Sequence, residues 1–205
     1  ADHDDAPSWD ETVNIKAPEQ KAPGKRTEWS PKDKSSQTFT GVEASTGDLE
    51  HADGMAADAA IEFLKQNKDK PFFLGCGFVR PHVPLVAPSK YFDRYDRDAM
   101  VSPEVPKGDL DDVPKIIRNY KSIDRYGVTP ESHKGLLEAY YASISYMDEQ
   151  VGRVLETLDE LGLREHTIVI FSSDHGYLLG HHHKFQKEHL FEESTRVPFI
   201  LSVPW

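Results

Sequence analysis

The 205 residues, with 38% hydrophobic and 29% charged content, suit one ordinary α/β domain and exclude a fibrous or disordered chain. A formal net charge of -11 and a pI of about 5.3 argue against a nucleic-acid phosphate backbone as partner, so an anionic substrate must be met by a local cationic pocket. A single cysteine rules out an intrachain disulfide framework, and no apolar run approaches the roughly 20 residues that span a bilayer.

Residues 1–50, rich in Pro, Lys, Ser, Thr, Asp and Gly, carry no sustained strand or helix period and read as an irregular surface segment; residues 51–205 hold the organised part. From Met55 to Gln66, Ala56, Ala59, Ala60, Phe63 and Leu64 recur at helical spacing. The apolar run Pro71 to Val79 then predicts a buried strand, and helix followed by buried strand points to a parallel sheet. Prolines and aspartates punctuate Pro81 to Pro130, so a long loop with one short helix near Ser89 to Tyr95 is expected there. Thr129, Pro130 and Glu131 supply a cap, a first-turn proline and an acidic first turn for a helix that runs to Leu161 before Gly162. Its apolar stripe is Leu137, Tyr140, Tyr141, Ile144, Met147, Val151, Val154, Leu155, Leu158 and Leu161. Two further strands, Thr167 to Phe171 and Val197 to Val203, complete an α/β sandwich whose chemistry should lie at the carboxyl ends of its strands.

Two motifs fall at such ends. Asp174-His175-Gly176 offers a carboxylate and an imidazole with a glycine that lets the backbone turn sharply; the two side chains read either as metal ligands or as a cap and a satisfied polar residue. In Arg80-Pro81-His82-Val83-Pro84, a histidine between two prolines suits a pre-positioned side chain or an ordinary structural loop. Downstream, His181, His182, His183 and Lys184 form a row able to hold an anion or, as imidazoles, a transition metal, but the row lacks zinc-ligand spacing. Cys76 stands four residues before Arg80 with Phe78 and Val79 between them, and this apolar setting predicts an inert packing thiol.

Taken together, Phe72-Phe73-Leu74 before Arg80-Pro81-His82, the Tyr140 to Asp148 segment, Ser173-Asp174-His175-Gly176, and Phe191 to Pro198 resemble the sulfatase family, most of all its iduronate-2-sulfatase-like members. The resemblance covers the chain from about Gly54 onward, with the motifs in the family's order. It implies an alkaline-phosphatase-like α/β sandwich with a mostly parallel central sheet flanked by helices, and hydrolysis of sulfate esters, of sugars above all. It also implies a divalent cation, usually calcium, and attack on sulfur by a hydrated formylglycine made from a cysteine or serine. Carried over by position, Asp174 matches a calcium ligand and His175 the neighbouring site that is Asn or His in the family; Lys187 matches the lysine that touches the sulfate, and His82 the histidine on its other side.

Nothing in the chain matches the family's early Asp-Asp metal pair, its Cys-x-Pro-Ser-Arg nucleophile, or its early Lys and His; Asp4-Asp5 is no substitute, because no buried strand precedes it. The formylglycine is therefore expected outside this chain, the N-terminal remainder of the catalytic domain becomes its natural partner, and the isolated chain should be inactive. By the same resemblance the compartment is periplasmic, extracellular or lysosomal. Two rival readings are a phosphodiesterase or phosphonate hydrolase of the same superfamily, and a non-catalytic relative that binds anionic glycans.

Overall fold

The computed structural model describes residues 6–15, 21–30 and 39–205, so Asp4 and Asp5 lie outside the described residues. Two strands form within the stretch expected to be irregular: β1 (Gly24–Glu28) and β2 (Thr40–Ala44). β2 is nearly all buried, because β1 covers one edge antiparallel and β3 (Leu85–Pro88) covers the other parallel. Its short, Gly-containing sequence gave no period to read, and burial came from its neighbours.

Between β2 and β3 the chain passes through α1 (Ala52–Asn67) and an extended stretch, residues 71–79. The expected buried strand is absent here. The stretch has a strand's alternation, with Phe72, Leu74, Cys76 and Phe78 half-buried while Val79 and Phe73, 81% exposed, face out, but no ladder partner lies beside it among the described residues. Its inner face rests on α1, through an edge-to-face pair of Phe72 and Phe63 at 5.8 Å and a weak Cys76 Sγ contact with the Ala56 carbonyl.

The longest element, α5 (Pro130–Glu160), begins as its sequence predicts: Thr129 accepts from the Ser132 N–H while Ser132 Oγ accepts from the Thr129 N–H at 2.8 Å. It stops after Leu161, where Gly162 turns left-handed. Its buried face keeps Leu137 and Leu158 of the expected stripe and is otherwise rotated from it. Leu136, Ala139, Ala142, Ser143, Tyr146 and Gln150 are buried, whereas Tyr141 is exposed and Ile144, Met147, Val151, Val154 and Leu155 are half-buried. The small residues of this face let α5 lie against α1, β3 and the single-turn helix α2 (Ser89–Phe92). Tyr146 locks the crossing: its OH donates to the Asp48 carbonyl at 2.9 Å and accepts from the Gly54 N–H at 2.7 Å.

The region expected as a long loop is stiffened by single helical turns, α3 (Lys115–Arg118) and α4 (Ile123–Tyr126). After α5 come β4 (Val169–Ser172), the β5–β6 hairpin (Leu178–Leu179 and Phe185–Gln186), the turn α6 (Glu192–Thr195) and β7 (Phe199–Ser202). β4 and β7 pair antiparallel, so among the described strands β2 with β3 is the parallel pairing. The core joins Trp29, Phe39, Leu85, Tyr91, Tyr126, Leu136, Tyr146 and Phe185. No described helix is long and apolar enough to cross a membrane.

Candidate active site

β4 delivers Ser173, Asp174 and His175 at its carboxyl end. Gly176 makes the turn possible, since a Cβ there would come within 2.2 Å of the Glu193 carbonyl, and its N–H donates to the Ser194 carbonyl at 2.9 Å. The Asp174 side chain, 84% exposed, projects from the sheet end. Its Oδ1 accepts from the His175 N–H at 3.0 Å, and its Oδ2 lies 3.4 Å from His175 Nε2.

The His175 tautomer follows from its other nitrogen. Nδ1 lies 2.8 Å from the Gly176 carbonyl, which can only accept, so Nδ1 carries a hydrogen. Nε2 is left facing Asp174 Oδ2, where a protonated ring makes an ion pair and a neutral ring offers a second metal donor. Burial opposes the charged form of Asp174, but His175, backbone N–H bonds and the Lys187 ammonium together hold its carboxyl below the usual carboxylate range. One carboxylate and one imidazole supply part of the roughly 6–8 ligands of a calcium ion, and no group of three or more His, Cys, Asp or Glu placed to hold a metal occurs among the described residues.

Lys187 follows β6 within a constrained turn, as Gln186 (φ 73°) and Glu188 (φ 70°) on either side are left-handed. His82 lies in the loop before β3, exposed, with Nδ1 2.8 Å from the Val83 carbonyl. Again Nδ1 must carry the hydrogen, which leaves Nε2 to face outward. Among the described residues no hydrogen bond or ion pair joins His82 to Asp174, His175 or Lys187. The structure thus sets Asp174 and His175 side by side at the end of β4, with Lys187 and His82 on two other loops.

Two residues that hold the His82 loop were missed by the sequence reading. Asp53, buried in the first turn of α1, accepts from the Val79 N–H at 2.7 Å and the Arg80 N–H at 3.0 Å. Arg80, also buried, donates Nη1 to the carbonyls of His82, at 2.6 Å, and Pro84. An acid in a helical first turn ordinarily signals a dipole partner, so the only trace in the sequence was ambiguous.

The row His181 to Lys184 does not act as one cationic surface. Lys184 is fully buried; His182 bridges Asp109, at 2.8 Å from Nδ1, and Glu193, at 3.3 Å from Nε2, and stacks on Phe191 at 4.0 Å. Cys76 is half-buried against α1, and burial, with Asp53 nearby, pushes its thiol up to about 11, which keeps it protonated.

The fold and the sequence find counterparts among known proteins. A phosphonate monoester hydrolase from Silicibacter pomeroyi superposes with a TM-score of 0.70 over 78% of this chain and 34% of its own, at 23% identity, so the two share a fold. The sulfatase family profile matches residues 13–204. This chain belongs to the sulfatase family. It is 34% identical to a choline-sulfatase from Rhizobium meliloti over 91% of this chain and 38% of that protein, and 34% identical to human iduronate 2-sulfatase over 74% of this chain and 30% of that protein. The chain spans about a third of the length of such relatives.

Proposed function

We propose that this chain supplies one side of the active site of a sulfuric ester hydrolase, with a sulfated sugar or other sulfate ester as substrate. The observation that carries the reading is the pairing of Asp174 with His175 at the carboxyl end of β4, in a chain of sulfatase descent. Asp174 and His175 are assigned to a hard divalent cation, calcium by the family resemblance, because an exposed carboxylate and an imidazole nitrogen stand side by side at a strand end. Such a cation would stabilise negative charge on the sulfate oxygens. Lys187 is assigned to the same anion as a charge-assisted donor. His82 is assigned to the far side of the sulfate, and because its Nδ1 is spent on Val83, it can donate there only as the imidazolium. The formylglycine has no motif among these 205 residues, and the reading assigns it to a part of the protein outside them.

The test is aryl sulfate hydrolysis by the full-length protein. Lys187→Ala removes a charge-assisted contact worth about 1.5–3 kcal/mol, so turnover should fall by about tenfold to a hundredfold. Cys76→Ser should turn over like the wild type. A folded but dead Cys76→Ser protein beside a fully active Lys187→Ala protein would overturn the assignment, and turnover of phosphonate esters with none of sulfate esters would move the substrate to the rival class.

A further inference from the structure

Lys187 sits between two residues in the left-handed region, Gln186 and Glu188, neither of them glycine. A backbone of that kind persists only where its surroundings hold it. Lys121, itself left-handed at φ 48°, donates from Nζ to the Lys187 carbonyl at 3.2 Å and to Glu188 Oε2 at 2.9 Å. Tyr120 OH donates to the same carboxylate oxygen at 2.6 Å. These two donors, Lys121 first, bring the Glu188 carboxyl down to about 2, so the clamp stays ionised at any working pH.

A second lysine crosses between the same segments in the opposite direction. Lys184, at 0% exposure, donates to the carbonyls of Ile117 at 2.8 Å, Arg118 at 2.9 Å and Tyr120 at 3.0 Å. Backbone pairing closes the join, since Ser122 bridges Lys184 and the Phe185 N–H donates to the Lys121 carbonyl at 3.2 Å. Residues 117–122 are thereby stapled to residues 184–188 by two lysines reaching past each other.

We propose that Lys121 and Glu188 are positioning residues for Lys187, an assignment that rests on the reading of Lys187 as the sulfate contact. A lysine stem is long and flexible, so its ammonium finds one place repeatedly only if its backbone is fixed. The clamp grips the carbonyl of Lys187 itself and the side chain of the next residue. It makes loop 115–122 part of the active-site support, although no side chain of that loop is assigned to the substrate.

The experiment uses the full-length protein, with Lys121→Met, Glu188→Gln, Lys121→Arg and, as reference, Lys187→Ala. Lys121 and Glu188 are chosen over buried Lys184 because their loss spares the core. Aryl sulfate turnover is measured beside the thermal melt, and Lys187 acetylation by acetic anhydride is followed by mass spectrometry with and without inorganic sulfate. Lys121→Met and Glu188→Gln should each lower kcat by about tenfold and lose the protection that sulfate gives Lys187. Their melting temperatures should stay within about 5 °C of wild type. Lys121→Arg, which keeps charge and donors, should recover most of both effects. Wild-type kcat and wild-type protection in the two folded variants would overturn the positioning role while a weakened Lys187→Ala left the sulfate reading intact. Loss of turnover that only tracks the folded fraction would overturn it as well. Full activity of Lys187→Ala would remove both assignments together.

Discussion

His133 stands in the first turn of α5 with 4% exposure, its Nε2 donating to the Leu179 carbonyl at 2.8 Å and its Nδ1 accepting from Ser102 Oγ at 2.7 Å. Both nitrogens are used by the neutral ring, and burial pushes its pKa below the ordinary 6.5, against the pull of the Leu179 carbonyl. The unfolded chain therefore takes up this proton first as pH falls. Stability is fully present above about 6.5 and is lost as pH drops below it, by up to about 1.4 kcal/mol per pH unit per histidine. Urea midpoints at pH 7.5 and 5.5 read this directly. In His133→Gln, whose amide can still donate to Leu179, the slope should become shallower; an unchanged slope would assign it elsewhere. His189 shifts in the same direction, through burial and then Lys184 and Lys121, and adds to the slope that remains.

At the scale of elements, α1 is both a packing helix and a clamp. Asp53 in its first turn takes two N–H groups from the chain leading into the His82 loop. Replacing Asp53 by Ala leaves those two donors without this acceptor, at about 1–3 kcal/mol each, so a loss of about 2–5 kcal/mol in urea unfolding is expected. Asp53→Asn keeps one oxygen and should cost less than half of that. Equal stability of all three proteins would show that water replaces the carboxylate at no cost. The same helix illustrates what pattern reading can recover. Of its expected stripe, Ala60 and Leu64 are buried while Ala56, Ala59 and Phe63 are half-buried, and Ala57, outside that stripe, completes the inner face, because small residues spaced on one side admit a close neighbour. For α5 the ends were legible from Thr129, Pro130 and Gly162, but the contact face was not. Large apolar side chains mark amphipathicity, whereas the approach of β3 and α1 selected the small residues Ala139, Ala142 and Ser143.

Over the whole molecule, apolar surface is unevenly placed. Ile170, 61% exposed, stands on β4 with Phe199, Ile200 and Leu201 exposed on β7, while Phe73 and Val79 line the uncovered face of residues 71–79. Apolar side chains this exposed on paired strands are unusual for a chain meant to stand in water by itself. The 205-residue chain produced alone should bind anilinonaphthalene sulfonate strongly and associate at micromolar concentration. Phe199→Lys and Ile170→Lys together should suppress both by charging the face. Dye binding no greater than that of a typical folded monomer would mean that this face is covered in solution. Strands at this face were recognisable by their Val, Ile and Phe content, yet their exposure was not, because composition reports affinity for a partner and not its presence.

Local chemistry determined what the sequence alone could specify: the caps and stop of α5, the turn glycine after Asp174-His175, the inert setting of Cys76, and a motif order that pointed to the sulfatases. Each depends on residues near one another in the chain, where spacing and backbone geometry suffice. Tertiary structure decided the rest. It turned Lys184 from a surface cation into a buried staple, set Lys121 and Glu188 around Lys187, and made Asp53 an anchor for a loop 27 residues away. A lysine or aspartate reads alike in sequence whether it faces water or a cluster of carbonyls and N–H groups, and only the path of the distant chain supplies those partners.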